Sequence, residues 1–294
     1  MKAYYMTEMS FPHYPIEVEH ELDSRQVVVP SSYCDPKIAS ELYKRYLDEF
    51  EYADEMGLDL FVNEHHQNTG CLDSVAPLSL AILARNTKKA KLLILGFPLA
   101  HRDNPLRVAE EAAYIDCLSG GRLECGFVRG IPSEIHAANT NPVHTRERLD
   151  EAHDLIMKAW THHEPFNWEG KHWQFRYVNP WPRPFQQPHP PIWIAAASKG
   201  SIPWIAEHGY TVGMFLLPQD QVKEMVQTYK DYCASHGLPE PGPEKFAYLA
   251  LVGVGETEAE GKRRCALVNW YLEGRRPMKF WNLPGYIPPE GRAQ

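Results

Sequence analysis

Short apolar runs alternate with longer stretches of helical periodicity along this chain. A short apolar run has the length of a strand, whereas apolar positions that recur every three to four residues mark one face of a helix. The predicted strands lie at 2–6, 58–62, 92–97, 122–127, 192–196, 210–215 and 246–254, and the predicted helices at 40–56, 75–88, 105–118, 145–160, 198–207, 219–236 and 257–271. Strands and helices in alternation predict βαβ units around a parallel sheet.

The number and spacing of these pairs predict one large α/β domain. The chain has 294 residues, and a TIM-type (β/α)8 barrel takes about 250 residues. Length alone therefore allows one large barrel or two ordinary domains. Because no composition shift or flexible linker separates two domains, we expect a single barrel domain over residues 1–294. Only seven strand–helix pairs are visible, and a loop-like tail at 272–294 follows them. The eighth unit is therefore missing from the pattern, either because the sequence is a fragment or because another segment or chain fills its place.

One stretch, residues 164–191, interrupts the alternation. It is rich in proline and aromatic residues, so no helix can form there. We predict a surface insertion between the fourth helix and the fifth strand, with a short hairpin at 173–177. Its aromatic part, 166–185, is either a lid over the mouth of the barrel or simple surface packing.

Charge and composition exclude several classes of function. There are 30 Lys and Arg against 38 Asp and Glu, for a net charge of −8. No segment gathers basic residues into a patch that could follow a phosphate backbone, so nucleic acid and anionic membranes are poor partners. No apolar run has the length of a signal peptide core or a membrane span. We expect a soluble cytoplasmic protein.

Candidate chemistry lies after the predicted strands, because the carboxyl ends of barrel strands carry the reactive groups. Ser198 and Ser201 fall where a helix begins, and unpaired backbone N–H groups at such a position attract an anion. Arg129 follows the fourth strand and could complete a phosphate cradle. A plain N-cap for Ser198 and a surface salt bridge for Arg129 are the alternatives. Arg146 is a weaker candidate of the same kind.

Two adjacent histidines, His65 and His66, follow the second strand. On an extended segment their side chains point in opposite directions, so only one of them is expected to enter the barrel mouth. A histidine there titrates near neutrality and could exchange protons with a bound intermediate, or it could be a packing residue. The chain has no H-E-x-x-H motif and the pair is not spaced for metal ligation, so no metal site is predicted.

Four motifs together resemble the bacterial luciferase-like family of flavin-dependent monooxygenases. They occur in the family's order over most of the chain: Asn63-Glu64-His65-His66; Asn104 to Glu111; Leu118-Ser119-Gly120-Gly121-Arg122-Leu123 with Gly126 and Arg129-Gly130; and Pro190 to Ala195 followed by Ser198, Ser201, Trp204 and Ala206. The third motif is the most specific of the four.

The resemblance implies a barrel that binds reduced FMN at its carboxyl face. Oxygen would attack the flavin, and the resulting peroxyflavin would oxidise a small organic substrate, which we expect to be apolar. By position, the resemblance makes His65 the catalytic residue. It implies that the cofactor-binding residues are Asn63, Gly96, Phe97, Val128, Arg129, Arg146, Ala197, Ser198 and Ser201. Gly96-Phe97 falls where the family has a non-prolyl cis peptide, and Val128 stands where luciferase has a reactive cysteine.

The same resemblance predicts the partners. The chain has no complete dinucleotide-binding fingerprint, so a separate flavin reductase is expected to supply reduced FMN. A homo-oligomer, a dimer or larger, is also expected. A deazaflavin-dependent oxidoreductase on the same barrel and a non-catalytic flavin-binding relative are the alternatives that remain open.

Overall fold

A computed structural model describes residues 2–22 and 27–273. Within these residues the chain divides into two compact units, 2–190 and 191–273. Both units are built from parallel strands followed by helices, as the alternating pattern predicts. The expectation of a single domain over 1–294 stays a prediction.

The first unit has four parallel strands in the order of the chain. They are β1 (Tyr4–Met6), β2 (Asp59–Val62), β3 (Leu92–Pro98) and β4 (Leu123–Val128). Each strand pairs with the next one, and Leu60 of β2 lies beside Leu92 of β3, which in turn lies beside Leu123 of β4. All seven residues of β3 are buried. Burial on both faces explains why this strand is a continuous apolar run.

Six helices accompany these strands in the described part of the first unit. They are α1 (Ile16–Leu22), α2 (Pro36–Glu55), α3 (Ala76–Asn86), α4 (Pro105–Ser119), α5 (Pro132–Ala137) and α6 (Thr145–Thr161). Helix α2 buries one face of small and large apolar residues, among them Leu42 and Phe50. It ends before Gly57, which adopts a positive φ of 81° as predicted for a residue that closes a helix.

Arg122, from the most family-specific motif, joins α3 to β4. Its guanidinium group donates five hydrogen bonds of 2.7 to 3.1 Å, to the carbonyl oxygens of Ala84, Thr87, Ala90 and Ser119 and to the Thr87 hydroxyl. These acceptors include carbonyl groups at the end of α3 that the helix itself leaves without partners. The motif therefore has a structural role in this unit.

The insertion forms a hairpin as predicted, but over 166–178 instead of 173–177, with antiparallel strands β5 (Phe166–Glu169) and β6 (Gln174–Val178). Glu151 of α6 accepts hydrogen bonds from the backbone N–H groups of His172 and Trp173 at 2.9 and 3.0 Å. The indole N–H of Trp173 donates to the carbonyl oxygen of Asp103 at 3.0 Å. The hairpin is thus attached to the helices of its own unit, and its role as a lid stays a prediction.

The second unit has three parallel strands, β7 (Ile192–Ala195), β8 (Thr211–Phe215) and β9 (Phe246–Leu249). Its helices are α7 (Ile202–Glu207), α8 (Gln219–Ser235) and α9 (Glu258–Glu273). Strand β9 ends five residues before the predicted end at 254. Of the predicted loop-like tail at 272–294, residues 272 and 273 belong to α9, and the rest lies outside the described residues.

Several predicted boundaries are wrong for identifiable reasons. Helix α3 spans Ala76–Asn86 instead of the predicted 75–88, with Val75 as its N-cap, and Pro77 in the first turn sets the start. The two short helices α1 and α5 lie in stretches predicted to be loops. Neither is long enough for an apolar periodicity to be recognised.

No helix of the described chain combines the length and the apolar character needed to cross a lipid bilayer.

Candidate active site

Polar residues follow directly from the buried end of β2. Asn63 and Glu64 are buried, with 7% and 3% of their surface exposed, and His65 and His66 are half-buried. Burial of a carboxylate requires strong partners. The hydrogen-bond and ion-pair partners of Glu64 and of the two histidines therefore define the candidate site.

Glu134 of α5 is the acceptor that organises both histidines. Its Oε1 lies 3.0 Å from Nδ1 of His65 and accepts the backbone N–H of His66 at 2.7 Å. Burial alone would raise the pKa of Glu134, but the hydrogen bonds from the His65 ring and the His66 backbone, with an electrostatic contribution from both residues, hold it below its usual range. An ionised Glu134 accepts a hydrogen bond from the Nδ1–H group of His65, so the lone pair of the neutral ring lies on Nε2.

Glu64 forms a second charged pair beside the first. Its Oε1 accepts from Nη2 of Arg102 at 2.6 Å and lies 3.1 Å from Nε2 of His66. The rings of His65 and His66 thus contact different carboxylates, and the predicted opposite orientation of the two side chains stays a prediction.

His101, just after β3, lies next to His66. The two rings meet edge to face with their centroids 5.7 Å apart. Burial lowers the pKa of His101 to about 4, so its ring is neutral at pH 7. Both ring nitrogens are buried and lack a hydrogen-bond partner within the described chain. A cavity of about 570 Å³ borders this group, and charged or polar side chains line most of it, including Arg102, Glu111 and Glu134.

Close contact between β3 and β4 explains a glycine at position 96. A Cβ atom on Gly96 would lie 2.5 Å from the carbonyl oxygen of Gly126, so only glycine allows the two strands to approach here. The non-prolyl cis peptide bond joins Leu95 to Gly96. It is one residue earlier than the predicted Gly96–Phe97 position, which is therefore wrong. Phe97 itself is fully buried, and its predicted role toward a cofactor stays a prediction.

Two arginines lie near each other beyond the end of β4, where Val128 is the last strand residue. Burial and the positive charge of Arg146 lower the pKa of Arg129. Arg146, in the first turn of α6, also pairs with Asp150 at 3.0 Å. A positive charge at the start of a helix, such as that of Arg146, favours an anion nearby.

The remaining predicted cofactor residues belong to the second unit. Ala197 and Ser198 are exposed, and Ser201 ends a 3₁₀ turn, Lys199–Ser201, that precedes α7. The predicted helix 198–207 is therefore wrong in its first turn, and the Ser198 side chain makes no capping hydrogen bond. Their role toward a cofactor stays a prediction that rests on the family resemblance.

Three residues of the site escaped prediction from the sequence. Glu134 lies in a segment predicted to be a polar loop, which the structure folds as α5. Arg102 and His101 follow β3 in a loop that carries no motif spacing. Only their position in the chain could have indicated His101 and Arg102 as site residues. They come shortly after a predicted strand, where barrel enzymes carry reactive groups.

The family model for luciferase-like monooxygenases matches residues 28–290. The chain therefore belongs to the luciferase-like monooxygenase family. The oxygenase component of a flavin-dependent trigonelline monooxygenase from Acinetobacter baylyi is 29% identical over 205 residues, which are 68% of this chain and 56% of that protein. The alkanal monooxygenase alpha chain of the Kryptophanaron alfredi symbiont is 23% identical over 237 residues, which are 79% of this chain and 65% of that protein. The chain thus spans less than two thirds of the length of either relative.

Solved structures of similar fold agree with this membership. Monooxygenase RslO1 from Streptomyces bottropensis has a TM-score of 0.73 at 27% identity, covering 86% of this chain and 78% of that one. The oxygenating constituent of 3,6-diketocamphane monooxygenase from Pseudomonas putida, in complex with FMN, has a TM-score of 0.72 at 20% identity, covering 80% and 69%. The coenzyme F420 dependent tetrahydromethanopterin reductase of Methanopyrus kandleri reaches 0.62 at 16% identity, covering 78% and 69%. For the last two structures, the similarity supports a shared fold only.

Proposed function

We propose that this chain is the oxygenating part of an FMN-dependent monooxygenase that uses reduced FMN and O2 to oxidise a small organic substrate. The observation that carries the proposal is a histidine, His65, held in one orientation by the buried carboxylate of Glu134. It lies after β2 in a family whose named members include monooxygenases. Closure of the strands into a (β/α)8 barrel with an eighth strand–helix pair is part of the same proposal.

We assign the flavin phosphate to Arg129 and Arg146. The positive charge of Arg146 contributes to the lowered pKa of Arg129, and guanidinium groups offer paired N–H donors that match phosphate oxygens. When bound, reduced FMN would supply the electrons that activate O2. Asn63, Gly96, Phe97, Val128, Ala197, Ser198 and Ser201 complete the proposed cofactor-binding set, on the strength of the resemblance.

His65 has the chemistry of a proton carrier. Donation of Nδ1–H to Glu134 places the lone pair of the neutral ring on Nε2, and this atom can take a proton from a reacting group and return it later. Glu134 does not leave its position, because it also accepts the backbone N–H of His66. We therefore assign His65 the catalytic role and Glu134 a positioning role.

Substrate and partners belong to the proposal as well. The cavity beside His66 is lined by charged groups, so an apolar substrate is expected to bind elsewhere in the site. One relative is named an oxygenase component, which supports a separate flavin reductase as the source of reduced FMN. Assembly as a homo-oligomer and a cytoplasmic location remain predictions.

An anaerobic titration tests the cofactor. The protein is titrated with reduced FMN and, in parallel, with a reduced deazaflavin, and binding is followed by absorbance and fluorescence. Tight binding of FMN, followed by incorporation of labelled oxygen into a product on admission of O2, supports the proposal. Preferential binding of the deazaflavin favours a hydride-transfer enzyme instead. Retention of FMN without any product across a panel of substrates favours a non-catalytic flavin-binding protein.

A further inference from the structure

Three side chains near the end of β2 bring together donor atoms that transition metals prefer. One ring nitrogen of His66, one of His101 and one carboxylate oxygen of Glu134 all lie within 4.8 Å of one another. Two histidines and a carboxylate form a common ligand set for zinc. Zinc bonds are about 2.0–2.2 Å long, so ligand atoms around the ion lie about 3.5 Å apart. A movement of about 1 Å, within reach of side-chain rotation, would close this set around one ion.

Of these three residues, His101 is the one whose ring nitrogens lack hydrogen-bond partners in the described chain. Both of its ring nitrogens are buried without a hydrogen bond to any described residue. A buried polar atom without a partner destabilises the folded protein, and ligation of a metal would remove this cost. The ring packs closely against Gly130, because a Cβ atom at that position would lie 2.7 Å from its Nδ1 and Cε1 atoms.

His66 already has the outer partner that metal-bound histidines usually have. Its Nε2 lies 3.1 Å from Oε1 of Glu64, and donation of that N–H leaves the lone pair on Nδ1. Such a carboxylate fixes the tautomer of a ligating histidine. Arg102 pairs with the same Glu64 oxygen at 2.6 Å and balances its charge. Glu134 is thus the carboxylate whose charge would face the ion.

The group is accessible, because the cavity of about 570 Å³ is lined by His66, His101 and Glu134. Glu111 lines the same cavity and has a buried Oε2 without a partner within the described chain. A water molecule in this cavity would occupy the fourth position around the ion.

We propose that His66, His101 and Glu134 form a binding site for one divalent transition-metal ion, with Zn²⁺ as the best match. The motif search predicted no metal because these three residues come from three separate segments. The site has a consequence that rests on the proposed function. Glu134 is also the acceptor for His65, so a bound ion competes for that carboxylate and lowers turnover.

Titration of the flavin-free, metal-free protein tests binding independently of catalysis. Zn²⁺ binding is followed by calorimetry, and Co²⁺ binding by the visible absorption of a four- or five-coordinate ion. We expect one ion per chain. His101→Phe removes a ligand while keeping the ring volume, and it should weaken binding by more than about tenfold, as should Glu134→Gln. Circular dichroism and thermal unfolding confirm that each variant is folded.

A matched control uses another histidine group in the same unit. His144 and His172 lie 3.6 and 3.3 Å from Glu147, with side chains that are 45% and 12% exposed, and His172→Ala should leave the affinity unchanged. The proposal is overturned if no stoichiometric ion binds, if folded His101→Phe binds as tightly as the wild type, or if His172→Ala removes the binding.

Turnover measurements separate the two proposals. Zn²⁺ that binds at this site and lowers FMN-dependent oxygenation in the wild type supports the link to His65. Bound Zn²⁺ with undiminished oxygenation overturns that link. A protein that binds the ion yet never oxygenates any substrate with reduced FMN contradicts the proposed function and leaves the metal site supported by the titration.

Discussion

Nδ1 of His65 and Oε1 of Glu134 lie 3.0 Å apart, and the same oxygen accepts the backbone N–H of His66 at 2.7 Å. The carboxylate is 3% exposed and the imidazole 24%, so one partner is fixed in the protein interior while the other reaches solvent. A buried acceptor of this kind sets the tautomer and the orientation of a histidine. It is the arrangement by which a carboxylate prepares an imidazole for proton transfer.

Replacement of Glu134 by Gln should reduce turnover more than flavin binding. The neutral amide no longer requires the proton of His65 to be on Nδ1, so kcat is expected to fall on the order of 100-fold or more, with little change in the affinity for FMN. Stopped-flow turnover and a flavin titration measure the two quantities. Glu41→Gln on the exposed face of α2 is the matched control. Equal turnover of the two variants would contradict the positioning role.

His65→Ala removes the proton carrier itself. We expect loss of turnover with retained affinity for FMN, because the imidazole does not belong to the proposed phosphate contacts. Added imidazole should restore part of the activity at a rate that depends on its concentration. His162→Ala, at an exposed position after α6, serves as control. If His65→Ala lost flavin binding and turnover equally, His65 would be a structural residue.

Much of the fold follows from local patterns, and the reasons are visible in particular elements. Strand β3 is a continuous buried run, and the buried face of α2 recurs at helical spacing, so both are recognisable without tertiary information. Helix α5 has six residues, starts at a proline and follows a strand end. Its formation depends on contacts that sequence periodicity does not contain.

The candidate site also contains residues that the sequence indicates and residues that it does not. His65 could be proposed from its position after a strand, and its motif marks the family. Glu134 could not be assigned, because its significance lies in a contact across 69 positions of the chain. His101 is similar, since its ring depends on the absence of a side chain at Gly130. Contacts between distant segments determine both.

Arg129→Ala should weaken FMN binding far more than riboflavin binding. Riboflavin lacks the phosphate. The difference between the affinity losses for FMN and for riboflavin therefore measures the contact of Arg129 with the phosphate. Hydrogen bonds to charged groups contribute about 1.5–3 kcal/mol, which predicts a loss of about 10- to 100-fold for FMN alone. Parallel titrations of both flavins measure it. A similar loss for both ligands would argue that Arg129 supports the structure and not the phosphate.

Arg122→Lys should destabilise the protein without acting on the site. A lysine ammonium group cannot reproduce the planar set of five hydrogen bonds at the end of α3. The free energy of unfolding is expected to fall by about 2 kcal/mol or more. Chemical denaturation measures it, and Arg176→Lys on the exposed hairpin strand β6 is the control. Equal stabilities of the two variants would contradict this role.

Asp73, beyond β2, should make the stability of the protein depend on pH. Burial and the negative charge of Glu64 raise the pKa of Asp73 to about 7, although the Ser79 hydroxyl donates a hydrogen bond to it at 2.9 Å. An aspartate in the unfolded chain ionises near 3.9. Between these values the native state keeps a proton that the unfolded state has lost. Stability therefore falls as the pH rises, by up to about 1.4 kcal/mol per unit for this group, and levels off above about pH 7.

Asp73→Asn removes this dependence, because the amide does not titrate. Denaturation of both proteins between pH 5 and 8 gives two curves, and the groups they share cancel in the difference. The variant is expected to gain stability relative to the wild type as the pH rises towards 7, and the gain should stay constant above it. A difference that does not change with pH would mean that Asp73 is ionised in the native protein throughout this range. The carboxylate would then have a partner beyond Ser79, since a buried charge persists only when it is paired.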